Sequence, residues 1–262
     1  DVRREFDTMW QRIGSRAIED LIDLPLLTEA PWRGALEVLM WGQGPALHTD
    51  ANLLCLIGAR MANISMEHGN CDASCLAYIV VGMVLGPHFG DYQNGYRFGK
   101  LGLDLLEQRG LQRFKAQTYL GFGCLISQWA RHVRVGIDAV RRAFDAARET
   151  GNLVYASYCC NCLIALRLAE GAPLGDVQQE AEHLFGFAQK ARFGLVIATM
   201  NTQLMTMRAL RGLPQQFRLS GNVECTEEEF RQHLERDPHV AVSHCLYWIR
   251  TIQYYGGLKR AI

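Results

Sequence analysis

Proline is scarce in this chain, seven among 262 residues, and neither sign of charge is in excess: 27 lysines and arginines face 27 aspartates and glutamates. Few prolines leave room for long unbroken helices. Balanced charge supplies no global positive field, so nucleic acid and anionic membrane surfaces are not expected partners. A clean apolar run is missing too. The best membrane candidate, ASCLAYIVVGMVLGPHF from Ala73 to Phe89, is interrupted by Gly82, Gly86, Pro87 and His88. The nine cysteines are an odd number, and Cys55, Cys124, Cys159 and Cys245 lie inside apolar runs. That suits reduced thiols in the cytoplasm and argues against a secreted disulfide scaffold. No charged-then-apolar leader follows Asp1, and the first residue is not methionine, so a piece of a longer protein is expected.

What is present is periodicity. Short Gly/Asn/Asp breaks at His68 to Asn70, Arg109 to Gly110 and Thr150 to Asn152 separate long patterned stretches. Apolar segments open near Asp72, Gln112, Leu153, Leu195 and His239, a spacing of roughly 40 to 44 residues that matches stacked helical hairpins. Each period has two unlike halves. The first is apolar nearly all round, as in LAYIVVGMVLG, TYLGFGCLISQWA, VYASYCCNCLIAL and LVIATMNTQLM, and needs cover on most of its surface. The second is amphipathic. In DVQQEAEHLFGFAQKAR, residues Val177, Ala181, Leu184, Ala188 and Ala191 form one stripe, leaving Gln178, Glu182, His183, Gln189 and Lys190 for water. Val133 to Glu149 repeats the split. Small residues in the apolar halves, Ala77 with Gly82, Gly121 with Gly123 and Ala156 with Ser157, are expected where helix axes approach closely.

A pair of this kind cannot bury its apolar member alone, so successive pairs are expected to stack. The expected fold is all-α: a right-handed superhelical α-solenoid of about five tetratricopeptide-like hairpins forming one domain over 1–262. Residues 1–23 form a linking helix, Val2 to Asp23, and 24–262 the hairpins, the last truncated. The phrase FGDYQNGYRFGKLGLDLLEQ, Phe89 to Gln108, resembles the second helix of a tetratricopeptide hairpin, and the closing IQYYGGLKRAI repeats its opening. Together with MANISMEHGNCDAS, WARHVRVG and QQEAEHLFGFAQKARFGLV, these phrases resemble the helical-repeat region of very large bacterial signalling proteins. Such proteins combine a serine/threonine kinase, a signal-transduction ATPase and often a GAF domain with a sensor histidine kinase. The resemblance implies a non-catalytic scaffold and regulatory arm whose partners are other domains of the parent protein. No residue in this region carries an assigned catalytic role in that family.

The chemical motifs are thin. GYRFGKL, Gly95 to Leu101, has three residues between its glycines and no Ser/Thr after Lys100, unlike a phosphate loop. GFGCLI from Gly121 lacks a third spaced glycine. Cys71 with Cys75, and Cys159, Cys160 and Cys162, have no histidines spaced to complete a metal set, so no metal and no cofactor is expected. Glu19, Asp20 and Asp23 in EDLID resemble the aspartate-rich motif of all-helical magnesium-dependent prenyl-diphosphate enzymes, but no second carboxylate cluster follows. Surface recognition is better supported, because polar groups inside apolar helices are costly to bury without partners. The candidates are Gln128, Trp129, Arg131, His132 and Arg134 at one helix end; Tyr158 and Asn161; Asn201, Gln203 and Arg208; and Tyr247, Trp248 and Arg250. A concave cluster of Trp129, Tyr158, Asn161 and Arg208 would favour a small-molecule sensor instead. GLPQQFRLSGNVECTEEEF, Gly212 to Phe230, reads as a long loop ending in a capping box of Thr226 and Glu229.

Overall fold

The computed structural model describes residues 1–213, 217–219 and 223–236. These are helical apart from one short hairpin, and they divide into two compact units, Asp1–Ala147 and Arg148–Ile262. The expected final, truncated hairpin lies outside the described residues.

The first unit opens with α1 (Val2–Ile13), whose Phe6, Met9 and Ile13 are buried on one stripe against α3 (Ala51–His68). The linking helix expected to run to Asp23 is two elements instead. Gly14, at φ 60°, ends α1, and a 3₁₀ turn at Ile18–Asp23 starts afresh where Asp20 Oδ2 accepts the Ala17 N–H at 2.9 Å. This segment is fastened to the unit. The side chain of Asn70 donates to the Leu21 carbonyl at 2.8 Å and accepts from Tyr78 Oη at 3.1 Å, while its backbone pairs with Pro25 and Leu27. The HGN break is therefore a docking point as well as a helix stop.

Helices α2 (Ala30–Thr49), α3, α4 (Asp72–Phe89) and α5 (Tyr92–Gln108) follow. Asp50 caps α3 by accepting the Asn52 and Leu53 N–H groups, and Asp91 caps α5 through the Asn94 N–H. Packing joins α2 with α3, α3 with α4, α4 with α5, and also α1 with α3, α2 with α4 and α4 with α6 (Lys115–Gly121); the start of the chain folds back as well, the 3₁₀ turn packing on α5 and the ring of Trp10 in α1 lying 5.8 Å from that of Phe98 in α5. The apolar α4 is the core of the unit, with Ala73 through Gly82 buried without a gap. At Gly82 a Cβ would stand 2.6 Å from the Gly95 carbonyl oxygen, so the two backbones touch where the small residue predicted contact.

The apolar stretch from Thr118 to Ala130 does not remain one helix. After α6 the chain widens into a π-helical turn, Phe122–Ile126, in which Ser127 N–H reaches the Phe122 carbonyl, and then tightens into a 3₁₀ turn, Ser127–Trp129. The turn coincides with a close backbone approach. A Cβ on Gly123 would lie 2.7 Å from the Gly136 carbonyl of α7 (Val133–Glu149), and Ser127 Oγ donates to the Gly123 carbonyl at 3.2 Å, so the backbone is re-aimed to meet the next helix.

The second unit packs α8 (Leu153–Glu170), α9 (Leu174–Ala191) and α10 (Gly194–Leu210) on one another. On α9 the expected stripe is buried at Val177, Ala181, Leu184 and Ala188 and only half-buried at Ala191, while Gln178 is buried too. It accepts from Arg211 Nη1 at 2.7 Å and donates to Glu182 Oε1 at 2.8 Å, partners four residues and one helix away that the helical pattern does not reveal. Within the expected loop, β1 (Phe217–Leu219) pairs antiparallel with β2 (Val223–Cys225). The capping box forms as read. Thr226 N–H donates to Glu229 Oε2 at 2.8 Å, and Glu229 N–H to Thr226 Oγ1 at 3.2 Å, opening α11 (Glu227–Arg236).

Candidate functional site

Five of the sequence candidates meet at the turn between the π-helical segment and α7. Gln128, Arg131, His132 and Arg134 are exposed, and Trp129 is 57% exposed although its ring is large and apolar. Its indole N–H donates to the Leu125 carbonyl at 3.2 Å, and its ring lies against Tyr92 with centroids 5.6 Å apart. The Arg131 guanidinium stands 4.3 Å over the ring of Tyr96. His132 Nδ1 accepts the Arg134 N–H at 3.3 Å, starting α7. Tyr92 and Tyr96 were not singled out from the sequence. They lie four apart on α5, on one helix face, which is the signal that finds them once α5 is placed beside the turn.

From Tyr96 a groove of about 500 Å³ runs between α5 and α7, floored by Phe122 and edged by Leu103, Val135 and Asp138. At its far end Glu107 Oε1 accepts from Tyr119 Oη at 2.7 Å and from Arg142 Nη1 at 2.8 Å. Burial, with the Glu107 carboxylate as the second cause, holds the Tyr119 phenol above its ordinary pKa.

In the second unit, Asn201 and Arg208 line a cavity of about 360 Å³ between α9 and α10. Arg208 Nη2 is 3.5 Å from Glu182 Oε1 at its wall. Gln203 is buried and donates from Nε2 to the Asn161 carbonyl at 3.0 Å, tying α10 to α8. Tyr158 packs edge-on to Phe193, with centroids 5.1 Å apart, and burial raises its phenol's pKa. Tyr158 and Asn161 are not among the residues lining the cavity that Arg208 borders, so these three do not form one pocket. Tyr247, Trp248 and Arg250 lie outside the described residues.

The remaining motifs have structural occupations. Gly95 and Gly99 of GYRFGKL lie inside α5 against α4 and the π-helical turn, and Lys100 pairs with Asp104 one turn on. Glu19 accepts from Arg97 Nε at 2.8 Å and Nη2 at 2.6 Å, a bidentate bond that lowers the carboxyl pKa, while Asp20 caps its own turn. Among the described residues, no three His, Cys, Asp or Glu side chains are grouped to hold a metal ion. Cys75 and Cys160 are buried thiols. Burial raises the pKa of both, that of Cys160 to about 12. Among the described residues, two helices, α4 and α8, are long and apolar enough to cross a membrane; 72% of α4 and 44% of α8 is buried inside the protein.

Compared with known proteins, the chain matches no family model, no curated protein and no solved structure.

Proposed function

We propose that this chain is a non-catalytic protein-interaction scaffold, a tetratricopeptide-like α-solenoid serving as a regulatory arm within a multidomain bacterial kinase/ATPase signal-transduction protein of the cytoplasm. The sequence resemblance supplies the context. Packing between consecutive helices, α2 to α5 in the first unit and α8 to α10 in the second, is compatible with a stacked array, although the 3₁₀ turn at Ile18–Asp23 also packs on α5. The observation that carries the reading is the turn at Gln128 to Arg134. There, Trp129 on Tyr92 and Arg131 on Tyr96 present aromatic and cationic groups to solvent, the residue types that dominate binding energy at protein interfaces. Regulation by such an arm requires unequal contacts with its partner domains in two states.

The test is titration calorimetry of the chain against the separate ATPase and kinase domains of the signalling protein that carries it. Binding to either is expected, and combining Trp129→Ala with Arg131→Ala should weaken it at least about tenfold, the loss of one interface hot spot. Absence of binding to both domains, or binding indifferent to the double substitution while circular dichroism is unchanged, overturns the reading.

A further inference from the structure

Helix α2 packs on α3 and α4 through one edge, where Leu36, Met40 and Ala46 are buried. Its opposite edge is apolar as well, yet it faces water. Pro31, Gly34, Val38, Trp41 and Pro45 are all exposed there, Val38 by 73% and Trp41 by 71%. Their alternating steps of three and four residues are the spacing of a coiled-coil seam, which takes one partner helix along about 20 Å of its length. None of the five carries a charge. Arg33 and Glu37 stand to one side of the seam, and Glu37 is engaged by Arg113 of the same chain. Contiguous exposed apolar surface of this kind marks an interaction site, unlike apolar residues scattered singly.

We infer that this face binds α2 of a second copy of the chain, antiparallel across a two-fold axis. A face without charge has no electrostatic means of selecting a foreign partner and no repulsion between two copies of itself. Its order of side chains is also its own complement. In one antiparallel register Val38 meets the partner's Trp41 and Gly34 meets the partner's Pro45, and each pair occurs twice, as contact about a two-fold axis requires. Both pairs set a larger side chain against a smaller one. A Cβ on Gly34 would meet no atom of its own chain within 4 Å, which leaves room for the partner's ring. Trp41 exposes about 150 Å² and the whole stripe on the order of 400 Å². The roughly 800 Å² buried over two copies is short of the ~1,200 Å² of stable complexes, so the dimer is weak and forms at micromolar concentrations or above. The inference goes beyond the scaffold reading and does not depend on it, since α2 contains none of the residues of the Gln128 to Arg134 turn.

The experiment is sedimentation velocity on the full chain, at protein concentrations from about 1 to about 500 μM. The expected result is a reversible monomer–dimer equilibrium. Trp41→Glu places a carboxylate in the seam and should weaken association at least about tenfold, while the monomer stays folded because the ring it removes lies mostly in water. Gly34→Glu is the second variant. It meets no atom of its own chain, replaces a helical glycine with a better helix former, and should weaken association to a similar degree. Leu213→Glu, at an exposed leucine away from α2, should leave association unchanged. The inference is overturned if the chain stays monomeric throughout the range, which would leave the α2 face to another polypeptide. It is equally overturned if a dimer forms that neither glutamate in α2 weakens while circular dichroism is unchanged, or that Leu213→Glu weakens as much.

Discussion

Helices α4 and α8 share one sequence signature and have different fates. Both are eighteen residues long, apolar around most of their circumference, and rich in small side chains. In α4 the requirement for cover is met almost completely, because α2, α3, α5 and α6 all pack against it. In α8, which packs on α9 and α10, Leu153 and Val154 remain 49% and 44% exposed. Apolar composition thus states how much surface must be covered, and the number of neighbours decides how much is. The close contacts differ in kind as well. Helix α4 meets α5 backbone to backbone at Gly82, whereas α8 has no glycine and fills its contacts with Ala156, Ser157, Cys159 and Cys160, all fully buried.

Three substitutions or conditions test this difference, in falling order of effect. Gly82→Leu has no space to enter, because even its Cβ would strike the Gly95 carbonyl and the Gly99 amide; a loss of about 3 kcal/mol or more is expected in urea unfolding. If Ala156→Leu in α8 costs as much, the backbone contact is not what sets α4 apart. Next, Leu85→Ala, at a residue 2% exposed in α4, should cost about 2–5 kcal/mol, and Val154→Ala in α8 less than about 1 kcal/mol; equal costs would mean that the exposed end of α8 is covered in solution.

The smallest effect concerns Cys160. Its thiol is held neutral by burial, with its pKa raised from about 9 to about 12, so its contribution is complete below pH 9 and is lost as the pH climbs towards 12. Between pH 8 and 9.5 the wild type should lose stability on the order of 1 kcal/mol through this group, and Cys160→Ala should remove that slope. Cys75 in α4 should behave alike, since burial raises its pKa as well. Alkylation by iodoacetamide should reach the half-buried Cys71 and Cys162 before either.

Much of the helical plan was legible from local pattern. The apolar segments expected to open near Asp72, Leu153 and Leu195 are α4, α8 and α10, which begin at Asp72, Leu153 and Gly194. The capping box at Thr226 and Glu229 needed only residues three apart. Where the reading departed, a distant contact had overridden a local preference. The stretch after Thr118 has a helical pattern throughout, yet it continues as a π-helical and then a 3₁₀ turn where Gly123 meets Gly136 of α7. The candidate surfaces were half legible. Trp129, Arg131, Asn201 and Arg208 stood out as polar or amphipathic groups in apolar company, but their partners Tyr92, Tyr96 and Glu182 looked like ordinary exposed faces of amphipathic helices.

The sequence by itself determined most of the helices, their alternation between apolar and amphipathic, and the capping box at Thr226 and Glu229, since each follows from side chains within a turn or two of one another. Tertiary structure alone decided where a helix must break, which thiols and amides are buried, and which side chains come together around a groove or a cavity. Those outcomes depend on groups tens of residues apart, whose meeting is fixed only when the helices pack.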